Sequence, residues 1–194
     1  KYVIDVPFLL RALLVRGIIL RKRPEKSAEA YARIWWDEGS PLIVLSERMH
    51  KKVAPKSTVP VSLAMRYGQP SLKSGLQELV DQGVTEIMLF PLYPQYAMAS
   101  TKTIVELAED LRKEFFPQIT FTHVPAFYNK PDYIKNLSDS IKKSLNGFEY
   151  DHLLFSYHGI PERHIRKTDV TKSHCKIDKS CCSTPSPAHE FCYR

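Results

Sequence analysis

A histidine stands where an apolar run stops. In FSYHGIPERH, residues 155–164, His158 closes the stretch DHLLFSY and is followed by Gly159 and Pro161, two residue types that turn a chain. An imidazole at such a point can take up a proton or hold a divalent ion near neutral pH. Other apolar runs end on equally useful groups. VSLAM is followed by Arg66, Tyr67 and Gly68, and EIMLF by PLYPQYAMAST, which carries Tyr93 and Tyr96. ITFTH leads into VPAFYNKP. Together these loops offer a cation for an acidic group, aromatic walls for a flat apolar ligand and an imidazole for proton or metal chemistry. Neither G-x-G-x-x-G nor a P-loop occurs, so nucleotide binding has no motif behind it. No G-x-S-x-G elbow precedes His158, which argues against a serine hydrolase. His50, His152 and His189 carry no distinguishing context, and Arg163, His164 and Arg166 read as solvated.

These groups need elements to position them. An apolar helix opens the chain, with Phe8, Leu9, Ala12 and Leu13 on one side. Ser27 is placed to cap a second helix, SAEAYARIWWDEG, stopped at Gly39. Ser40 and Pro41 start a third, on which Leu42, Leu45, Met49 and Val53 recur at helical spacing. From residue 58 onward, strand and helix alternate. TVPVSLAM, VTEIMLF, ITFTHV and DHLLFSY read as strands, interleaved with LKSGLQELVDQG capped by Ser71, with TKTIVELAEDLRKEFF opened by Ser100 or Thr101, and with PDYIKNLSDSIKKSL. Strands apolar on both faces and separated by helices predict a doubly wound parallel α/β sheet. Ligands of such sheets bind beyond the carboxyl ends of the strands, where His158, Arg66 and Tyr93 fall.

The chain of 194 residues is 43% hydrophobic and 25% charged, ordinary for one globular domain. Its net charge of +7 is dispersed and matches no nucleic-acid module, so no nucleic-acid partner is expected. Asp5, Pro7, Arg11 and Arg16 interrupt the apolar residues 2–20, which excludes a spanning helix and leaves packing on the core or a peripheral membrane contact. All four cysteines fall between residues 175 and 192, unlike a disulfide framework that staples distant segments. A reducing, cytoplasmic setting follows.

The blocks that carry the candidate groups resemble one family. LLFSYHGIPERHIRKTD is similar to the signature of ferrochelatases, which insert ferrous iron into a porphyrin. KSAEAYARIWWDEGSPLIVLSERM, AMRYGQPS and LFPLYPQYAMAST match the same family in the same order. The resemblance implies that His158 is the active-site histidine, as metal ligand, pyrrole proton acceptor or both. It implies that Arg66, Tyr67 and Tyr93 line the porphyrin cleft and that the opening helix forms its lip, touching the membrane. Fe2+ and protoporphyrin or coproporphyrin would be the substrates. The family also has a first strand upstream and a second, similar α/β domain bearing a catalytic glutamate. The resemblance thus makes residues 1–173 an amino-terminal chelatase domain without its first strand. Residues 174–194 become a cysteine-rich insert toward the second domain, and this piece alone is expected to be inactive.

The insert spaces Cys175, Cys181, Cys182 and Cys192 as C-x5-C-C-x9-C. Paired C-x-x-C knuckles of zinc ribbons are absent. Four thiolates could hold a [2Fe–2S] cluster, as some ferrochelatases do, with zinc or uncoordinated thiols as the alternatives and His174 and His189 as reserve ligands. Two other functions compete with iron insertion: a cobalt or nickel chelatase of the same architecture, and a non-catalytic porphyrin or iron–sulfur binding module.

Overall fold

The computed structural model describes residues 7–176 and 178–192. The apolar run from Tyr2 to Val6 lies outside them. The chain divides into two compact units, Lys1–Met88 with Ile104–Thr122, and Leu89–Thr103 with His123–Arg194.

The first unit opens with one helical run where the sequence suggested two. Helix α1 (Phe8–Leu14) passes through a π-helical turn, Val15–Ile19, into α2 (Leu20–Ala32). Ser27 is therefore inside α2 and caps nothing. The residues around it, EKSAEAYA, are mostly good helix formers and carry the helix past it. Pro24 also lies inside α2, and it has no N–H to offer the Leu20 carbonyl. Gly39 is not a helix stop. At φ +122° it closes a tight turn in which Trp36 and Gly39 exchange two main-chain hydrogen bonds of 3.0 Å. Helix α3 (Pro41–Val53) starts as expected, with Ser40 before it and Pro41 in its first turn. Its buried residue is Val44, whereas the anticipated stripe of Leu42, Leu45, Met49 and Val53 faces solvent.

Ser71 caps helix α4 (Leu72–Asp81) as the sequence predicts, its Oγ accepting the Ser74 N–H at 3.0 Å. Thr58–Met65 forms no strand, only an isolated bridge from Met65 to Ser71, which departs from the first expected strand. Pro60 has no N–H to donate, the Val61 carbonyl is bound by His50 Nε2 at 2.9 Å, and the Met65 N–H donates to the Pro70 carbonyl at 2.8 Å. Strand β1 (Glu86–Leu89), helix α5 (Thr103–Phe115) and strand β2 (Thr120–His123) follow, α5 after a π-helical turn at Met98–Lys102. Thr120 N–H donates to the Thr85 carbonyl and Val124 N–H to the Leu89 carbonyl, both at 2.9 Å. The partners keep one offset along both strands, so the pair is parallel, and α5 makes the crossover. The first unit's core is Val44, Leu72, Leu76, Ile87, Ala108, Phe116 and Ile119.

In the second unit, α6 (Pro131–Leu145) forms where expected, followed by α7 (Glu162–Thr168) and the four-residue α8 (Lys179–Cys182). DHLLFSY does not form a strand. Leu154 is 91% exposed and Tyr157 81%, and no described strand pairs with them. A run of apolar residues becomes a strand only where a neighbour takes its N–H and C=O groups. Among the described residues the sheet has two parallel strands joined through a crossover helix, an α/β arrangement coarser than the doubly wound sheet expected.

Candidate functional site

Arg66 and Tyr67 sit in the first unit on a loop closed at its base. The Met65–Ser71 bridge and the Met65–Pro70 hydrogen bond bring its ends together, and Gly68, at φ +80°, takes the left-handed turn a side chain would resist. Within the loop the Ser71 N–H donates to Gln69 Oε1 at 3.1 Å. Arg66 Cζ stands 4.5 Å from the centre of the Tyr67 ring, a cation–π contact. Arg66 Nε is buried with no hydrogen-bond partner, so the guanidinium retains unmet donor capacity. Tyr67 is exposed. A cation backed by an open aromatic face suits a flat ligand with acidic substituents.

Helix α4 fixes the segment leading into this loop. A Cβ at Gly75 would stand 3.0 Å from Ala64 Cβ and 3.1 Å from Ser62 Oγ, so any larger residue would have to push these neighbours back. Ser62 is itself held, its hydroxyl donating to Glu78 Oε2 at 2.7 Å.

Tyr93 and His158 belong to the second unit. Tyr93 is on the loop after β1, and that loop is anchored where the Phe127 and Tyr128 N–H groups both donate to the Pro94 carbonyl, at 2.9 and 3.0 Å. Edge-on ring contacts of Phe127 with Phe90, at 5.5 Å, and with Tyr133, at 5.3 Å, pack the same region. Tyr96 rests on Phe191 at 4.4 Å. His158 is exposed on the unpaired segment, just past the stacked Phe155 and Tyr157 rings. Gly159 stays out of the left-handed region, and Pro161 serves as the residue before α7. The turn predicted after His158 is therefore made by a helix start.

His164 corrects another expectation: it is 4% exposed on α7, not solvated. Sequence reasoning also passed over Asp169, equally buried, which organises the loop after α7. Its Oδ1 accepts the Thr171 N–H at 2.8 Å and the Thr171 hydroxyl at 2.6 Å. Its Oδ2 accepts the His174 and Cys175 N–H groups, both at 2.8 Å. These bonds, that of the Thr171 hydroxyl foremost, hold the Asp169 carboxyl far below the usual carboxylate range. An Asp with a Thr two residues later is the signal for such a turn. Asp178 caps α8 in the same way through the Ser180 and Cys181 N–H groups, and its carboxyl is lowered too, chiefly by the Ser180 hydroxyl.

The cysteines are near one another in sequence. Cys181 is buried and its thiol donates to the Asp178 carbonyl at 3.2 Å, while Cys182 is exposed. These two are consecutive on α8 and so point about 100° apart around its axis. Among the described residues no three His, Cys, Asp or Glu side chains form a metal-holding group. The [2Fe–2S] cluster and the zinc alternative read from the sequence gain no support from the described residues. The two reserve histidines do meet, with Nε2 atoms 3.2 Å apart.

Among the described residues no helix is long and apolar enough to cross a membrane. The family model for ferrochelatase matches residues 1–190. A ferrochelatase of Ectopseudomonas mendocina is 50% identical and one of Pseudomonas syringae pv. tomato 46% identical, each over the whole of this chain. The chain spans 56% of the length of both relatives. No solved structure matches.

Proposed function

The chain belongs to the ferrochelatase family, and on that premise we propose that it is part of an enzyme inserting Fe2+ into a porphyrin in haem synthesis. The observation that carries this reading is the family match across residues 1–190, which takes in Arg66, Tyr67, Tyr93 and His158. In this reading Arg66 meets a porphyrin propionate, Tyr67 and Tyr93 wall the macrocycle, and His158 works at the metal-exchange centre. Insertion removes two pyrrole protons as iron enters, and an imidazole can accept a proton or ligate a divalent ion. The exposure of His158 and the unmet donor of Arg66 support these roles.

Residues 1–173 would then form most of a first chelatase domain, with 174–194 an insert toward a second. The apolar segments at 58–65 and 151–157 would take ladder places in the longer protein, completing the doubly wound sheet. A cytoplasmic enzyme receiving an apolar substrate needs a route from the bilayer. The exposed Phe8, Leu9, Leu10 and Leu13 of α1 support a peripheral membrane contact there. The cysteines have no part in this proposal.

The test is an anaerobic insertion assay on the complete protein with ferrous iron and a panel of porphyrins, beside His158→Ala. Loss of insertion with porphyrin still bound is the expected result. Unchanged insertion in the variant removes His158 from the mechanism. Porphyrin binding without insertion in the parent protein would make this a binding module.

A further inference from the structure

Two imidazoles and one main-chain oxygen form a triangle in the cysteine loop. The His174 and His189 Nε2 atoms are 3.2 Å apart, and the Cys181 carbonyl oxygen lies 2.8 Å from the first and 3.0 Å from the second. One Nε2–H shared between the other ring's lone pair and the carbonyl oxygen would satisfy part of this convergence and leave the remaining lone pairs facing one another. A cation bound by all three atoms would engage each of them.

The edge lengths say which cation. Donors about 2.1 Å from a metal lie about 3.0 Å apart at right angles on one face of an octahedron, and about 3.4 Å apart in a tetrahedron. The three edges bracket the octahedral value. Imidazole nitrogen suits iron, cobalt, nickel, copper and zinc, and is a poor choice for magnesium or calcium.

The scaffold holds both rings' main chain in place without an ion. Asp169 and Thr171 accept the His174 N–H, at 2.8 and 3.1 Å. Ser186 begins the 3-10 turn Pro187–Phe191 that carries His189, its Oγ accepting the Ala188 N–H at 3.2 Å. His174 and Cys181 also line an open recess of about 520 Å³ shared with Thr171, Ser173, Lys176 and Ser186. Its hydroxyls and its openness admit the waters that would fill the other coordination places.

We propose that His174, His189 and the Cys181 carbonyl oxygen hold a divalent first-row transition ion, at a site using none of the residues assigned to the porphyrin reaction. It differs from the thiolate cluster considered from the sequence, since its ligands are two imidazoles and a main-chain oxygen.

The experiment titrates the chelator-stripped complete protein, carrying His158→Ala to remove the metal-exchange imidazole, with Co2+, followed by visible absorption, with Zn2+ as competitor. One Co2+ per chain is expected, with weak octahedral bands, displaced by Zn2+. His174→Gln and His189→Gln should each weaken binding at least tenfold, with far-ultraviolet dichroism verifying that the variants fold. Replacing all four cysteines by serine should leave binding intact, because Cys181 contributes its carbonyl. The thermal midpoint should rise with Zn2+ in the parent and not in the double histidine variant. Binding that survives loss of both histidines overturns the proposal. So does a parent chain that binds no Co2+, or binding lost on cysteine replacement together with a strong sulfur-to-cobalt band.

Discussion

Replacing Gly75 by alanine sets two effects of known size against each other. Alanine favours a helix interior over glycine by about 1 kcal/mol. At this position the new methyl would lie 3.0 Å from Ala64 Cβ and 3.1 Å from Ser62 Oγ. Carbon atoms in contact prefer about 3.5–4.0 Å, so the neighbours would have to give by a few tenths of an ångström. Neither neighbour yields easily: Ala64 has no rotamer to change, and turning Ser62 breaks its 2.7 Å bond to Glu78. Overpacking of this kind costs about 1–3 kcal/mol. The net expectation is a loss of about 0–2 kcal/mol, and the double variant Gly75→Ala with Ala64→Gly isolates the contact. Removing the opposing methyl should make the double variant at least about 1 kcal/mol more stable than the sum of the singles, where independent sites agree within about 0.5 kcal/mol. Urea denaturation of the four proteins measures this. Gly17→Ala, where nothing lies within 4 Å, is the control and should stabilise. Additive singles, or Gly75→Ala stabilising as much as the control, would refute the close-packing argument.

Ile119 is 1% exposed in the first unit's core, so Ile119→Ala should cost about 2–5 kcal/mol and Ile119→Val about 0.5–1.5 kcal/mol, read from urea midpoints. Equal losses for the two variants would show that the site collapses around any small side chain. Asp169 has a folded pKa below its unfolded value of about 3.9, so its stabilising contribution is present above that pH and fades as pH falls below it. The stability difference between the parent chain and Asp169→Asn should therefore shrink from pH 7 toward pH 3, and a difference independent of pH would mean that the carboxylate charge is irrelevant to the loop.

Local signals were legible in the sequence and distant pairing was not. Ser71 caps α4 because a serine before an apolar-periodic run meets its own N-terminal N–H groups, a contact settled within four residues. The alternation around β1, α5 and β2 was equally readable, since period and turn residues carry it. DHLLFSY and TVPVSLAM form no strand among the described residues, because an apolar composition says nothing about whether a neighbouring strand is there to accept the hydrogen bonds. Ser27 was misread because a good cap residue is also tolerated inside a helix when the residues on both sides favour it. Of the candidate site, the types at Arg66, Tyr67, Tyr93 and His158 were visible, but the Arg66–Tyr67 contact and the Asp169 hub were not. Those depend on which atoms a loop brings together, and a local pattern seldom encodes that.

The parallel pairing of β1 with β2 also sets an order of events. Thr85 and Thr120 are far apart in sequence, and closing such a loop costs about 3 kcal/mol in chain entropy before any constant term. Each ladder hydrogen bond returns only about 1 kcal/mol net. The pair therefore cannot nucleate by itself as a hairpin can. It must wait until α5 has formed between the strands and buried Ala108. The Thr120 and Val124 amides should become protected from solvent exchange in the same kinetic phase as α5, with the crossover helix acting as the clasp that closes the sheet.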